Sequence, residues 1–407
     1  MTDPSNALLR APAQILFGAG SLDALPETIA ALGSRVFVVV DPFIRSTQLF
    51  EAAMSSLADA GLRFEIYSEV VAELPVESVE AAAVVARGFE PQVVLGYGGG
   101  SAIDLAKLVA LLVRQPSPLS LYYGENLVGS DVTPLVAVPT TAGTGSEATP
   151  VAVVSDPTRE LKVGISSPYL VPRAAIVDAR LSMGAPASVT AHAGIDALVH
   201  AIESYTAADW TAPWSTTLPV FVGRNRLSSL LALDAASRIM RNLRTAVASP
   251  LDAAARDEMA YGSLLAGMAF GGAGTHLSHA LQYPIGALSK TPHGLGTGLL
   301  LPYVMEAALP RTIPELAAIA VATGHSGGSD ESLARDAIAD VRALTRDIGI
   351  PPTLAEIGIT AEQLPRIAEL ATTARRLVTN STLEPSIPVL MSILTAALTG
   401  DRSGLSR

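Results

Sequence analysis

QVVLGYGGGSAIDLAK, residues 92–107, joins a short apolar run to a helical stretch through three consecutive glycines. Glycines between a strand and a helix let backbone N–H groups approach a phosphate, which the helix dipole favours. A tight strand-to-helix turn without a ligand has the same appearance, and the GxGxxG fingerprint is incomplete here. The stretch therefore indicates an α/β domain and leaves nucleotide binding open at this point.

Further apolar runs alternate with helical stretches on both sides of this turn. They are QILFG (14–18), RVFVVVD (35–41), RFEIYS (63–68), PLVAVPTT (134–141), VAVVSD (151–156) and AAIVD (174–178). Continuous β-rich runs between helices predict a parallel sheet that is covered on both faces. Beyond Pro186 the pattern changes to long Ala/Leu-rich helical periodicity. We therefore predict an α/β domain over residues 1–185 and a helical-bundle domain over residues 186–407.

Composition excludes several classes of function. The chain has 407 residues, of which 49% are apolar, and its formal charge is -11. A surface that binds nucleic acid needs clustered positive charge, so no nucleic-acid partner is expected. The sequence has no cysteine, which excludes disulfides, thiolate metal sites and a cysteine nucleophile, and it fits a cytoplasmic location. Charge, proline or glycine interrupts every long apolar run, so no membrane span is expected.

Two further segments could contact a nucleotide. PTTAGTGSE, residues 139–147, combines hydroxyls with glycines after a predicted strand, although a capped helix start would look similar. Asp41 ends the run RVFVVVD, where an acidic side chain can accept hydrogen bonds from a ribose 2′-OH and repel a 2′-phosphate. An Asp-Pro turn is the alternative interpretation of Asp41.

The histidines and one aspartate form a candidate metal site. The chain has only 6 histidines, and three of them, His276, His279 and His293, lie close together in the sequence. Asp196 and His200 are four residues apart in a helical stretch, so both side chains can face one ion. One carboxylate with imidazoles is a reasonable ligand set for Fe²⁺ or Zn²⁺. Such an ion would stabilise an alkoxide while hydride leaves for a nicotinamide. A buried, hydrogen-bonded role is the alternative for each histidine taken singly.

Taken together, the motifs resemble the iron-containing (type III) alcohol dehydrogenase family. GGGSAIDLAK, PTTAGTGSEAT, GIDALVHAIE and PHGLGTGLLLPYV occur in the family's order, and the resemblance covers most of the chain. It implies a Rossmann-like N-terminal domain, a helical C-terminal domain and Fe²⁺ as the metal. Zn²⁺ is expected as a possible substitute because it lies above Fe²⁺ in the usual affinity order. Asp41 predicts NAD rather than NADP as the cofactor. The resemblance also implies further copies of the chain as partners, in a homodimer or larger homo-oligomer.

The resemblance assigns residues to each role. The implied metal ligands are Asp196, His200, His279 and His293, which leaves His276 as an extra histidine. The candidate cofactor-binding residues are Asp41, Gly98, Gly99, Gly100, Ser101, Asp104, Thr140, Thr141, Thr144 and Lys162. The catalytic candidates are His279 and Tyr283.

Two departures from the family pattern bear on function. Tyr283 occupies the position where many members carry a histidine that faces the nicotinamide, and residues 209–229 form a longer segment. Both features resemble the hydroxyacid-oxoacid transhydrogenase branch. A maleylacetate reductase would be expected to lack the Asp of GIDAL, and a lyase similar to dehydroquinate synthase would need a more basic site.

The expected reaction is oxidation of a small alcohol, or reduction of the aldehyde, by metal-dependent hydride transfer. Small and apolar residues (Gly271, Gly272, Ala273, Thr275, Trp210, Trp214 and Phe221) are expected to form the substrate pocket. Arg224 and Arg226 could instead receive a carboxylate, as a 4-hydroxybutyrate-like substrate would require. The alternative is that both arginines are solvated at a helix start.

Overall fold

The computed structural model describes residues 6–211 and 213–405, and these residues cluster into two compact units. One unit comprises Arg10–Met183 and Thr217–Val220, and the other comprises the remaining described residues, which are 6–9, 184–211, 213–216 and 221–405. The unit boundary therefore lies between Met183 and Gly184, beside the predicted boundary at 185/186. The outermost parts of the predicted domains, residues 1–5 and 406–407, lie outside the described residues.

The first unit contains strands and helices in alternation. Its strands are β1 (Gln14–Phe17), β2 (Arg35–Val40), β3 (Arg63–Tyr67), β4 (Val93–Gly98), β5 (Gly124–Glu125), β6 (Leu135–Pro139), β7 (Val151–Val154), β8 (Val163–Ser166) and β9 (Ala174–Val177). Its helices are α1 (Leu25–Ala30), α2 (Gln48–Asp59), α3 (Val76–Phe89) and α4 (Gly100–Arg114).

Among the described residues, six strands form a parallel sheet in the order β1-β9-β6-β4-β2-β3. Along β2, Val36, Val38 and Val40 belong to one hydrophobic cluster, and Phe37 and Val39 belong to another. Each cluster covers one face of the sheet, which explains why this strand is apolar at every position. The predicted parallel sheet with helices on both faces is confirmed.

One predicted strand lies elsewhere. The run VAVVSD forms β7, which pairs antiparallel with β8 in a separate small sheet that also contains β5. The strand β8 was missed because VGIS carries a glycine and few apolar residues. A short apolar run predicts that a strand forms, but it does not predict which strand it pairs with.

The parallel sheet has a topological switch point at β2 and β4. The chain leaves β2 through α2 toward β3 at the edge, and it leaves β4 through α4 toward β6 on the other side. In open α/β sheets, ligands bind beyond the carboxyl ends of the strands that flank such a point. Asp41 and Gly98 lie at those two strand ends.

The second unit is helical. Its helices are α5 (Ala187–Tyr205), α6 (Arg226–Ala248), α7 (Ala253–Ala273), α8 (Leu277–Ser289), α9 (His293–Thr323), α10 (Asp330–Asp347), α11 (Leu364–Thr373), α12 (Arg375–Thr379) and α13 (Ile387–Thr399). Helix α5 is buried over most of its length and packs against α6, α7 and α9. The predicted helical C-terminal domain is confirmed, and α5 is its central element. None of the described helices combines the length and the apolar character that a membrane span requires.

Candidate metal centre and cofactor-binding turn

The predicted metal ligands converge in the helical unit. Ligand atoms of Asp196, His279 and His293 all lie within 4.8 Å of one another. Asp196 Oδ1 is 3.9 Å from His279 Nε2 and 3.8 Å from His293 Nε2. The other carboxylate oxygen, Oδ2, is 3.9 Å from His200 Nε2. One carboxylate is therefore surrounded by three imidazole nitrogens.

Three helices supply these side chains. Asp196 and His200 lie one turn apart on α5, so they share a face of that helix, as predicted. His279 lies in the first turn of α8, and His293 is the first residue of α9. The His200 ring stacks on Phe270 and on His279, with ring centroids 4.3 and 4.9 Å away. These contacts restrict the orientation of the rings.

Close packing at Gly294 brings the start of α9 against α5. A Cβ atom at this position would meet the His192 carbonyl oxygen at 2.0 Å and Asp196 Cβ at 3.0 Å. Only glycine permits that approach, and the neighbouring His293 is placed beside Asp196 as a consequence. This explains why glycine follows histidine in the PHG motif.

The donor set fits a divalent cation. His279 Nε2 is buried, and it has no hydrogen-bond partner within the described residues. A buried ring nitrogen is ordinarily paired, so an atom left over beside a carboxylate is suited to coordinate an ion. Burial alone would raise the pKa of Asp196, but its three histidine neighbours and a hydrogen bond from Thr297 Oγ1 lower it. An ionised carboxylate with neutral imidazoles suits Fe²⁺ or Zn²⁺.

Glu203, which the sequence analysis missed, holds His279 from behind. It is fully buried on α5, and its Oε2 lies 2.7 Å from His279 Nδ1. Burial opposes its ionisation, yet contacts with His276 and His279 hold the pKa of Glu203 well below its usual value. The spacing of three residues indicates only that Glu203 shares one side of this helix with His200, and it does not reveal the contact with His279.

His276 has a different role from the four predicted ligands. It caps α8, where its Nδ1 accepts the Leu277 N–H at 2.8 Å and its Nε2 lies 3.0 Å from Thr206 Oγ1. Nδ1 also lies 3.2 Å from Glu203 Oε1. The shorter backbone contact and the burial, which lowers the pKa of His276, favour a neutral ring that accepts at Nδ1. Both ring nitrogens are therefore used within the fold.

Tyr283 lies one turn after His279 on α8. Its half-buried ring is 6.3 Å from the His293 ring, measured between centroids. The phenol is thus at the edge of the proposed metal cluster, which consists of the side chains of Asp196, His200, His279 and His293. Many members of the family that the sequence resembles carry a histidine at this position.

The predicted cofactor residues gather at the sheet's switch point. A Cβ on Gly98 would lie 3.4 Å from Asp41 Cβ, and the Thr140 N–H donates to the Gly98 carbonyl at 3.0 Å. At Gly100 a Cβ would meet Thr144 Cγ2 at 2.5 Å, so any larger residue there would have to displace Thr144. Gly99, Ser101 and Thr141 lie in the same two segments.

Helix α4 opens toward this turn without a cap from a side chain among the described residues. The N–H groups of its first turn therefore remain available, and the helix dipole favours an anion beside them. Asp41 Oδ1 accepts the Phe43 N–H at 2.9 Å, so the predicted Asp-Pro turn forms. Asp41 Oδ2 does not take part in this hydrogen bond and could accept from a ribose.

Two other cofactor candidates are engaged within the unit. Asp104 accepts hydrogen bonds from Ser146 Oγ at 2.5 Å and from the Val153 N–H at 3.0 Å, and Lys162 forms an ion pair with Glu73. Lys107, which was not singled out from the sequence, donates from a buried Nζ to the Thr149 and Val151 carbonyls. Burial lowers the pKa of Lys107 to about 8. Asp104 and Lys107 thus hold residues 146–153, which follow the PTTAGTG segment, against α4.

The two arginines of the 209–229 segment differ from each other. Arg226 is exposed at the start of α6, which agrees with the alternative that it is a solvated residue at a helix start. Arg224 is instead buried, and it donates to Asp209 Oδ1 at 2.7 Å and to Glu315 Oε1 at 2.5 Å. The idea that Arg224 is solvated is therefore wrong. Ala212, in the same segment, lies outside the described residues.

The suggested pocket residues are tightly packed. Gly271, Gly272, Ala273 and Thr275 are all buried, and Asn380 Nδ2 donates to the Ala273 and Thr275 carbonyls at 3.1 Å. A Cβ on Gly274 would approach Phe221 Cβ to 3.2 Å. Trp210 is buried edge-on against the exposed Trp214, with 4.6 Å between ring centroids.

Comparison with known proteins gives one consistent result. The family described as "Iron-containing alcohol dehydrogenase" matches residues 12–179, and "Fe-containing alcohol dehydrogenase family, C-terminal" matches residues 190–397. Long-chain-alcohol dehydrogenase 1 of Geobacillus thermodenitrificans is 36% identical over 94% of each chain. The NAD-dependent methanol dehydrogenase of Bacillus methanolicus is 31% identical over 88% of this chain and 91% of its own. The crystal structure of a 1,3-propanediol oxidoreductase superposes with a TM-score of 0.88 at 31% identity, covering 96% and 99% of the two chains.

Proposed function

The chain belongs to the iron-containing alcohol dehydrogenase family, and we propose that it interconverts a small uncharged alcohol and its aldehyde with NAD and one divalent cation. It is an oxidoreductase. The observation that carries the proposal is the buried, unpartnered Nε2 of His279, which faces Asp196 and lies among the other imidazoles.

We propose that Asp196, His200, His279 and His293 hold the cation, with Fe²⁺ as the native metal. Zn²⁺ lies above Fe²⁺ in the usual affinity order, so it would compete for the same ligands. When bound, the cation supplies Lewis-acid stabilisation of negative charge on a substrate oxygen. The surrounding residues hold the proposed ligands in place, because Thr297 donates a hydrogen bond to the Asp196 carboxylate and Glu203 contacts the His279 ring.

We propose that the glycine turn at 98–100 and the uncapped start of α4 bind the NAD pyrophosphate. Asp41 Oδ2 would accept from the ribose and disfavour a 2′-phosphate. The reaction balances as alcohol plus NAD⁺ giving aldehyde, NADH and one proton, with hydride leaving the carbinol carbon. A relative named as NAD-dependent supports the choice of NAD. On this proposal residues 1–185 form the dinucleotide-binding domain, and residues 186–407 bind the metal and the substrate.

Charge favours an uncharged substrate over a hydroxyacid. Arg224, the buried cation that could have received a carboxylate, is already bonded to both Asp209 and Glu315. A third carboxylate at this position would face two resident negative charges. We therefore place alcohols such as propanol or 1,2-propanediol ahead of 4-hydroxybutyrate.

A substrate panel tests this proposal. NADH formation is measured with propanol, 1,2-propanediol and 4-hydroxybutyrate at fixed NAD, with Fe²⁺ or Zn²⁺ added to chelator-treated protein. We expect metal-dependent turnover of the uncharged alcohols. A strong preference for 4-hydroxybutyrate that is lost in Arg226→Ala would instead assign the transhydrogenase-like activity, and turnover unaffected by metal removal would contradict the metal centre.

We further propose a cytoplasmic homodimer or larger homo-oligomer. The cysteine-free sequence supports a reducing compartment. Light scattering on the purified chain would determine the number of copies, and a monomer at micromolar concentration would contradict the proposal.

A further inference from the structure

We infer that Glu203 is a positioning residue for the metal centre, because its carboxylate fixes His279 in the tautomer that presents an unprotonated Nε2 to the cation. This inference rests on the proposed function, since it concerns a ligand of the proposed metal. It assigns a role to a residue that contributes no ligand atom of its own.

Two backbone N–H donors and the Nδ1 atom of His279 converge on this one side chain. Glu203 Oε2 accepts the His276 backbone N–H at 2.8 Å and lies 2.7 Å from His279 Nδ1. Glu203 Oε1 accepts the Ser278 backbone N–H at 2.6 Å. The side chain is completely buried, so no solvent competes for these bonds.

The tautomer of His279 follows from this geometry. An ionised carboxylate can only accept hydrogen bonds, so the proton of a neutral His279 ring must lie on Nδ1. The lone pair is then on Nε2, the atom that faces Asp196 at 3.9 Å. A carboxylate behind a metal-binding imidazole also makes the opposite nitrogen a stronger donor to the cation.

The same carboxylate joins two helices that carry ligands. Glu203 belongs to α5, which carries Asp196 and His200, and its backbone partners form the N-terminal turn of α8. That end of a helix presents free N–H groups and a positive partial charge, which an anion stabilises. Removing the negative charge of Glu203 should therefore destabilise the first turn of α8, which contains His279.

Neutralising the carboxylate tests the inference. Glu203→Gln keeps the shape, but one of its terminal atoms becomes a donor and cannot accept from an N–H group. We expect the Zn²⁺ dissociation constant of the folded, metal-free protein to rise about tenfold to a hundredfold, measured by chelator competition. The matched control is Ser204→Ala at the next, equally buried position, where the hydroxyl donates to the Ala201 carbonyl of α5 itself. Its dissociation constant should change less than about threefold.

A second measurement does not depend on the variant folding. Nitrogen-15 spectra of histidine-labelled, metal-free wild type should show His279 protonated at Nδ1 and not at Nε2. The opposite tautomer would overturn the inference, and so would Zn²⁺ binding by a folded Glu203→Gln within threefold of the control. If wild type bound no Zn²⁺, the proposed metal centre would fail, whereas the tautomer would still decide the role of Glu203.

Discussion

The metal cluster and the glycine turn are built in opposite ways. The cluster consists of side chains, and its distinguishing atom is a buried nitrogen without a partner, His279 Nε2. The turn consists of backbone, and its distinguishing feature is the absence of a side chain at Gly100. Thr144 occupies the space that a Cβ at this position would need. A site of the first kind is destroyed by removing atoms, and a site of the second kind by adding one.

Removing the His279 ring should have the largest effect. His279→Ala takes away the ligand atom, and we expect metal-dependent kcat/KM to fall at least about a thousandfold, on the order of 4 kcal/mol of transition-state stabilisation. Metal content and turnover are measured together, with circular dichroism to check the fold. The control is His325→Ala, since His325 is half-exposed and paired with Asp340 in another part of the unit. Stoichiometric metal with unchanged activity in His279→Ala would refute the ligand assignment.

Adding one methyl group to the turn should have the next largest effect. Gly100→Ala pushes against Thr144, and the resulting shift should weaken NADH binding about tenfold to a hundredfold, because overpacking costs roughly 1–3 kcal/mol. Metal content should not change. Gly88→Ala on α3 is the control, since a Cβ there meets nothing within 4 Å. NADH fluorescence titration measures both variants, and equal affinities would show that the turn does not hold the cofactor.

Much of the fold and part of the candidate site could be predicted from the sequence. Period and composition predicted the parallel sheet and the helical unit, and the spacing of Asp196 and His200 predicted that both side chains share a helix face. Glu203 and the pairing of Arg224 were not predicted, because both depend on partners far away in the chain. Glu203 reaches His279 across 76 positions, and Arg224 reaches Glu315 across 91. Such contacts are properties of tertiary packing, and a single sequence does not encode them locally.

Asp41 allows a test of the proposed preference for NAD over NADP. Its Oδ1 forms the turn with Phe43, so only Oδ2 is available to a ribose. Asp41→Gly should shift the NADP-to-NAD preference by about tenfold, since one charge-assisted hydrogen bond and one repulsion are lost. The ratio of kcat/KM for the two cofactors measures the shift. Equal use of NADH and NADPH by wild type would show that Asp41 is a turn residue alone.

The smallest effect is expected at Tyr283, which lies close to the metal cluster without belonging to its ligand set. Its ring is near that of His293, but a phenol with a reference pKa of ~10 is a poor base at neutral pH. Tyr283→Phe keeps the ring and removes only the hydroxyl, so we expect kcat to stay within about fivefold of wild type, measured across pH 6–9. Tyr283→Ala provides the contrast, because it removes the ring as well and should cost more if packing is the role. A loss of about a hundredfold in Tyr283→Phe would show that the hydroxyl carries a proton in the reaction, since that is the usual contribution of acid–base catalysis. The metal cluster would then depend on a side chain outside its ligands for proton transfer as well as on Glu203 for geometry.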